Sequence, residues 1–455
     1  MKKKIQLKNS EVPKLQNYEK NPGDLFWKSF PKKDLPVEAE TSVNPTVVEA
    51  ELNKVKNSLT KAEFERGQRA IEYLKKGAPS FIKQNIQGCM VENAMSANRY
   101  GAEVTDNIAT WIKKGFAAGP FDTPPLPEFR VNPLIAVAQT GKVRPVLDVS
   151  RPEGKSLNSA VDDLQVEKVK MTSAKIFGDV LLKAGKNAVF SKTDLVAAYK
   201  QVPCQVKNLR LQGFKWLEKY LVETRQIFGA KTSVANFDIV GETLRVIAIA
   251  QSGIPREFTL RQLDDLIVVA PESDESGRIF SQCYEKLCRE SNVELAESCN
   301  KCEKAFTNQK RGKVLGILFD SCDMTWSLPD DKRKKCLDLV QKALDNGEIT
   351  LLELQQLHGR INDVGQMCPF LKIFKQPLNK CLATESKNPE DVVKLSEEAV
   401  SDLLVWAGFL QSKLKWLPIC ALKSAPPLRC TTFCSDAAGL SVDGGSQGTD
   451  PLQWV

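Results

Sequence analysis

Two strand-like runs, residues 258–263 and 266–270, constrain the fold more than any other feature, because only Asp264 and Asp265 separate them. Runs of this length predict strands, and the acidic pair predicts a turn between them. Parallel strands need a connection of roughly a dozen residues or more, so these two strands can only pair antiparallel. The chain is therefore expected to contain an antiparallel sheet.

The surrounding patterns predict a mixed architecture. Further strand-like runs at residues 134–138, 143–149 and 188–191 lie among helical stretches at 173–184 and 234–250. Strands interleaved with helices and joined by one tight turn are typical of the α+β class. We therefore expect an α+β domain with an antiparallel element.

The two ends of the chain differ from this central part. Residues 331–344, 351–364 and 395–414 carry apolar side chains at three-and-four spacing, which predicts a helical bundle. Residues 1–60 are rich in Lys, Pro, Asn and Glu and contain few aromatic residues. They predict a poorly ordered lead-in with one helix near its end.

Composition restricts the classes of function. Lys and Arg total 64 against 56 Asp and Glu, a surplus of 8 that suits a polyanionic partner. The 13 cysteines, without a recognisable signal peptide, predict reduced thiols in an intracellular protein of the cytoplasm or nucleus. His358 is the only histidine, which excludes mechanisms that need two. No apolar run approaches the roughly 20 residues that span a membrane, so no membrane partner is expected.

Three aspartates are candidates for chemistry. Asp194 follows the strand-like run at 188–191, and Asp264 and Asp265 lie at the tip of the predicted hairpin. Taken singly, Asp194 is also a good helix N-cap, and the pair is also an ordinary turn. Together they suit phosphoryl transfer, because two Mg²⁺ ions roughly 3.5–4 Å apart need carboxylates from separate strands.

A basic hairpin is the second candidate element. Lys142 and Arg144 lie beside a glycine-containing turn between two apolar runs. Such a hairpin can hold cations over a triphosphate, where Arg offers two parallel hydrogen bonds. A solvated basic hairpin with no ligand is the alternative interpretation.

The order of these elements resembles the reverse transcriptase family. The matching motifs, in chain order, are Arg144-Pro-Val-Leu-Asp148 for the fingers, Asp194-Leu-Val-Ala-Ala-Tyr199 for the first catalytic motif, Gln226-Ile-Phe228-Gly229 for the segment that positions template and nucleotide, Leu263-Asp264-Asp265 for the paired aspartates, and Leu315-Gly316-Ile317 for the primer grip. Finer matches such as Trp111 and Asn132-Pro133-Leu134 are most similar to DIRS-type retrotransposons, which encode a tyrosine recombinase. Cys434-Ser435-Asp436 resembles the opening strand of a ribonuclease H domain.

The resemblance implies a right-hand polymerase fold with fingers, a palm built on an antiparallel sheet, and a helical thumb. Its parts would be a helical N-terminal extension at residues 61–115, fingers and palm at 116–320, thumb and connection at 321–420, and a truncated ribonuclease H-like start at 428–455. The chain would belong to a retrotransposon polyprotein. It would act on an RNA or DNA template with a primer, use dNTPs, and associate with other retroelement proteins.

The resemblance also implies residue roles in an RNA-directed DNA polymerase. Two Mg²⁺ ions, which Mn²⁺ can replace, would be held by Asp194, Asp264 and Asp265. Lys304 would protonate pyrophosphate, and Tyr199 would lie beneath the incoming sugar and reject a 2′-hydroxyl. The substrate would be bound by Lys142, Arg144, Phe228 and Gly229, and the primer by Leu315 and Gly316. Asp436 would be a relic of a ribonuclease H domain.

Several positions depart from the family pattern. Gln262 stands where Tyr is usual, and Ile227 and Val234 stand where Pro is common. Two other functions therefore remain open. The chain could be an inactive retroelement remnant that only binds nucleic acid, or an unrelated helical interaction protein whose acidic pairs are only turns.

Overall fold

A computed structural model describes residues 26–28, 30, 32–83, 86–139, 142–297, 305–365, 369–383, 388–412, 416–419, 434–435 and 442–443. The chain divides into two compact units. The first unit comprises Met1–Met171, Ser191–Val268 and Asp274–Thr307, and the second comprises Thr172–Phe190, Val269–Ser273 and Asn308–Val455.

Helices occur in both units. The α-helices are α1 Pro45–Lys54, α2 Lys61–Lys76, α3 Met95–Arg99, α4 Gly101–Lys113, α5 Ala174–Ala184, α6 Lys231–Ser252, α7 Ser276–Glu290, α8 Asp330–Asn346, α9 Leu351–Gly365, α10 Gln376–Leu382 and α11 Glu397–Gln411. Thr60 caps α2 by accepting a hydrogen bond from the Glu63 amide, and the Glu63 carboxylate accepts one from the Thr60 amide. Ser173 caps α5 in a similar way.

The strands are mostly short. They are β1 Ala117–Phe121, β2 Leu134–Gln139, β3 Lys142–Leu147, β4 Val189–Asp194, β5 Gly213–Trp216, β6 Lys219–Glu223, β7 Thr259–Gln262, β8 Asp265–Ala270, β9 Phe306–Gln309, β10 Arg311–Val314, β11 Ile317–Asp320, β12 Thr325–Ser327, β13 Glu348–Thr350, β14 Val392–Lys394, β15 Trp416–Pro418, β16 Cys434–Ser435 and β17 Val442–Asp443. One four-stranded sheet has the order β7-β8-β4-β9, and another has the order β10-β11-β12-β15. A three-stranded sheet has the order β1-β6-β5.

The predicted antiparallel hairpin is confirmed. β7 and β8 pair antiparallel, with Thr259 opposite Val268 and Gln262 opposite Asp265. Side chains of β8, α6 and α7 then enter one apolar core of the first unit, together with α1 and α2. The mixed helix-and-sheet class expected from the sequence is therefore confirmed.

One expectation for the N-terminal part needs correction. The lead-in expected to be poorly ordered through residue 60 includes α1, which was anticipated, and also the buried Phe26 and Trp27, whose rings lie 4.8 Å apart. The stretch 61–115 contains the helices α2, α3 and α4, and α2 ends at Lys76, which Gly77 follows as the C-cap. Gly77 has φ +83°, and a side chain there would meet the Cys204 carbonyl carbon at 2.5 Å.

The second unit has the predicted helices around a short sheet. α8, α9 and α11 bury apolar residues, and Trp406 on α11 is fully buried. β10 and β11 form a hairpin whose turn is Leu315 and Gly316, both with positive φ, at 49° and 80°. Asp436 and Lys304 lie outside the described residues. In the described part of the chain, no helix is both long and apolar enough to span a membrane.

Candidate active site

The turn between β7 and β8 carries two of the candidate aspartates. Leu263 adopts the left-handed conformation, with φ +56°, so the chain reverses immediately before Asp264. Arg261 holds this turn in place, because its Nη1 donates a hydrogen bond to the Leu263 carbonyl oxygen at 2.7 Å. The position of Asp264 therefore depends on a side chain of the strand that precedes it.

Asp194 lies beside this turn. It is the last residue of β4, which neighbours β8 in the sheet. The amide of Leu195 donates to the carbonyl oxygen of Asp264 over 3.3 Å, and the amide of Ala296 donates to the carbonyl oxygen of Asp194 at 2.8 Å. These backbone bonds bring the strand end and the hairpin tip together, as the sequence predicted.

A lysine contacts this group of aspartates. Lys192 precedes Asp194 by two residues on β4, so both side chains project from the same face of the strand. Its Nζ lies 2.9 Å from Oδ1 of Asp265, and its side chain is only 11% exposed. Sequence analysis missed Lys192, although a lysine within a buried strand is itself a signal of a buried partner.

An aromatic cluster lies next to the aspartates. The Tyr199 ring is in edge contact with Phe228, with centroids 4.8 Å apart, and with Phe237 at 5.5 Å. Burial and the nearby Asp264 carboxylate raise the pKa of the Tyr199 hydroxyl, while Arg261 acts in the opposite direction. Tyr199 is thus close to Asp264, as the sugar-gate prediction requires.

Arg261 also joins the hairpin to α6. It forms ion pairs with Asp238 and, at 3.5 Å, with Glu242, and its side chain is only 7% exposed. Burial lowers the pKa of Arg261 to about 10, while Tyr284 and Asp264 act to raise it. Arg66 of α2 reaches the same Asp238 at 2.6 Å, so one buried charge network links two helices to the hairpin.

The segment expected to position the nucleotide is held close to β3. Gly229 has φ +88°, and a side chain there would lie 3.3 Å from the Leu147 carbonyl oxygen. Asn158 fixes this segment by donating to the Gly229 carbonyl at 2.8 Å and accepting from the Lys231 amide at 2.9 Å. The neighbouring Phe228 remains 45% exposed. The Gly229 backbone therefore lies close to β3. Asn158 is a positioning residue for this segment, and sequence analysis did not identify that role.

The basic hairpin has the predicted form. In the β2–β3 pair Lys142 lies opposite Gln139 and Arg144 opposite Val137, and Arg144 is exposed. Arg144, Phe228 and Ala197 share a mostly apolar cavity of about 310 Å³. The hairpin cation and the nucleotide-positioning segment are thus brought to one place.

A buried ion pair borders the same cavity. Lys200 contacts the carboxylate of Glu223, and its Nζ lies 5.0 Å from the centre of the Trp111 ring. Burial, with the nearby Arg225 guanidinium, lowers the pKa of Lys200 to about 7. The lining of the cavity therefore includes a buried lysine whose pKa lies well below its usual value.

The donor set of the aspartates suits a hard cation. Among the residues that the structure describes, no cluster of three or more His, Cys, Asp or Glu side chains is arranged to hold a metal ion. Mg²⁺, however, is commonly held by one or two carboxylates, with substrate phosphates and water completing its coordination. Asp194 and Asp264 are carboxylates of the kind that Mg²⁺ binds, and Asp265 forms an ion pair with Lys192.

Among the comparisons with known proteins, only the search of solved structures found a likeness. No family model and no curated protein matches the chain. A solved structure of the foamy viral protease-reverse transcriptase in complex with RNA/DNA hybrid matches 86% of this chain at 17% identity, with a TM-score of 0.51. A second foamy viral structure, in complex with ds DNA, matches 86% at 16% identity with a TM-score of 0.49. The chain spans 48% and 63% of these two proteins, and the likeness to the first shows a reverse transcriptase-like fold.

Proposed function

We propose that this chain is an RNA-directed DNA polymerase that adds deoxynucleotides to a primer 3′-end. The observation that carries the proposal is the meeting of Asp194 at a strand end with the Asp264–Asp265 turn, joined by the Leu195 amide and flanked by Tyr199. Carboxylates from separate strands are the arrangement that metal-assisted phosphoryl transfer uses. The reverse transcriptase-like fold supports this assignment.

Asp194 and Asp264 would hold the metal ions. When bound, Mg²⁺ supplies Lewis acidity to the primer hydroxyl and positive charge to the departing pyrophosphate. Arg144, which is exposed, and Lys142 would bind the triphosphate through charge-assisted hydrogen bonds. The Tyr199 ring, fixed between Phe228 and Phe237, would occupy the space that a 2′-hydroxyl needs.

The remaining assignments rest on the family resemblance. Lys304 would serve as general acid, Leu315 and Gly316 would contact the primer, and residues 116–320 and 321–420 would form the fingers with palm and the thumb. The DIRS-type origin and the ribonuclease H-like assignment of Asp436 belong to the same proposal. Template and primer would be bound mainly through their phosphates, which makes binding independent of sequence and sensitive to salt.

A second function is favoured by one specific contact. Lys192 pairs with Asp265, so a protein cation contacts a carboxylate that the family pattern assigns to metal. An inactive remnant that binds nucleic acid would tolerate or select such a neutralised site. That candidate predicts duplex binding without nucleotide addition.

Two measurements on the same preparation separate the candidates. Fluorescence anisotropy at two salt concentrations measures binding of an RNA/DNA primer–template, and gel analysis measures primer extension with dNTPs and Mg²⁺. Extension on the RNA template that is abolished in Asp194→Asn, with unchanged binding, supports the polymerase. Salt-sensitive binding with no extension by the wild type supports the remnant, and weak binding without extension contradicts both.

A further inference from the structure

A second cavity in the first unit is lined by none of the three candidate aspartates. It has a volume of about 650 Å³ and is bordered by Lys83, by residues 86–89, by residues of the segment 152–160 and by Arg130. Three of the side chains that line it are the cations Lys83, Arg130 and Lys155, and none of its described lining residues is acidic. It shares no lining residue with the candidate active site, so it needs its own explanation.

Arg130 is the unusual member of this group. It is 1% exposed, and its Nε and Nη2 donate to the Asn132 side-chain oxygen and to the Arg151 carbonyl, each at 3.1 Å. Neither acceptor carries a full negative charge, and within the described residues Arg130 forms no ion pair. Burial lowers the pKa of the Arg130 guanidinium, and the Cys89 thiol is the group that acts to raise it. A buried cation without a counter-ion is costly, and an anion in the cavity would offset that cost.

Two lysines border the same space. Lys155 is exposed and follows Gly154, which has a φ of +73°. The chain turns there, and the Lys155 amide donates a hydrogen bond to the Pro152 carbonyl oxygen at 3.1 Å. Lys83 is fixed by its amide, which donates to the Ala160 carbonyl at 2.9 Å. Its Nζ lies 3.7 Å from the Asp162 carboxylate, a loose contact that leaves donors for a ligand.

Size and chemistry indicate the ligand class. A cavity of about 650 Å³ falls in the range of small-molecule sites. A phosphate offers the several acceptor oxygens that guanidinium and ammonium groups bind best. Ile86, Pro152 and Ala160 add apolar surface that a nucleobase can contact. We propose that this cavity binds a nucleotide through its phosphate, either as a free nucleotide or as one residue of a single strand.

The proposal does not depend on polymerase activity, and its test is kept separate from that activity. Isothermal titration calorimetry of the full chain, with EDTA present, would use adenosine monophosphate, adenosine and a (dT)6 oligonucleotide as probes. The variants are Lys155→Met, Arg130→Lys and the matched control Lys61→Met, whose side chain is 91% exposed on α2. Circular dichroism melting shows whether each variant is folded.

The phosphate-bearing probes should bind the wild type, and adenosine should not. Lys155→Met should weaken binding about tenfold or more, because one charge-assisted hydrogen bond is lost. Arg130→Lys should weaken it also, whereas Lys61→Met and Asp264→Asn should leave it unchanged. Binding of the monophosphate identifies a free-nucleotide site, and binding of (dT)6 alone identifies a strand site. Equal binding by wild type and a folded Lys155→Met, or no binding of either phosphate probe, would overturn the proposal.

Discussion

At the level of single residues, the placement of charge distinguishes this site. Lys192 and Arg261 are two nearly buried cations that contact the hairpin bearing Asp264 and Asp265. One neutralises a carboxylate, and the other fixes the turn. Neither role follows from the motifs, because a motif identifies the aspartates and says nothing of which side chains reach them.

Tyr199 should control sugar selection. In Tyr199→Ala the ring that would block a 2′-hydroxyl is gone, so ribonucleotide incorporation should rise by about tenfold or more relative to deoxynucleotide incorporation. Tyr199→Phe keeps the ring and should keep the selectivity. Single-nucleotide incorporation of dNTP and rNTP measures the ratio, and an unchanged ratio in Tyr199→Ala would remove the gate assignment.

The positive charge of Lys192 should lower the affinity of the aspartates for divalent metal ions. Lys192→Met removes a positive charge that contacts Asp265, so Mn²⁺ affinity should rise about tenfold, which corresponds to a Coulomb energy of about 1.4 kcal/mol. Electron paramagnetic resonance of free Mn²⁺ measures that affinity without any reaction. The exposed Lys186→Met is the matched control and should change nothing. If both variants bind Mn²⁺ as the wild type does, the ion pair has no influence on the metal.

Lys200 should make stability depend on pH. Its pKa falls from 10.5 to about 7 in the folded protein, so between these values the unfolded chain binds more protons. The free energy of unfolding should therefore rise with pH in that window, by up to about 1.4 kcal/mol per unit. The double variant Lys200→Met/Glu223→Gln lacks both groups and should lose this slope. Urea unfolding from pH 7 to 10 measures this slope. If the unfolding free energies of the wild type and the double variant depend on pH in the same way, Glu223 keeps the Lys200 ammonium charged.

At the level of elements, contacts between segments close together in the sequence were easier to predict than contacts between distant segments. The β7–β8 hairpin was predictable because its strands and turn are contiguous. The β5–β6 hairpin is equally contiguous but was missed, because its two-residue turn, Leu217 and Glu218, has positive φ at both positions and carries none of the Gly, Asn or Asp residues that signal such a turn. The Arg261–Asp238 pair joins a strand to a helix 23 residues away, and no local pattern specifies which helical face meets the sheet.

The link between α6 and the hairpin should be essential for stability. Arg261→Met leaves Asp238 and Glu242 without this buried partner and should cost about 3 kcal/mol or more of unfolding free energy. It also removes the bond to the Leu263 carbonyl, so nucleotide addition should fall. Arg256→Met breaks an exposed pair with Glu63 and should cost about 1 kcal/mol or less. Equal losses in urea unfolding would contradict the network.

At the level of the whole molecule, the motifs predicted the class of fold, and the structural comparison confirmed it. The order of motifs along the chain was sufficient, because each motif is a short contiguous stretch of sequence. The cavity around Arg130 was not predictable, since its lining comes from the separate segments 86–89 and 152–160, which only the folded chain brings together.

Addition of a single dNTP to a DNA primer on an RNA template, with Mg²⁺, tests the central claim most directly. The wild type is compared with Asp264→Asn and with the control Asp274→Asn. Asp274 is exposed, and Asn at that position can still accept the hydrogen bond from the Ser276 amide. The wild type and Asp274→Asn should extend the primer, while Asp264→Asn should bind the duplex and fail to extend it. A wild type that binds the duplex without extension, or an Asp264→Asn variant that extends as well as the wild type, would contradict the proposed polymerase.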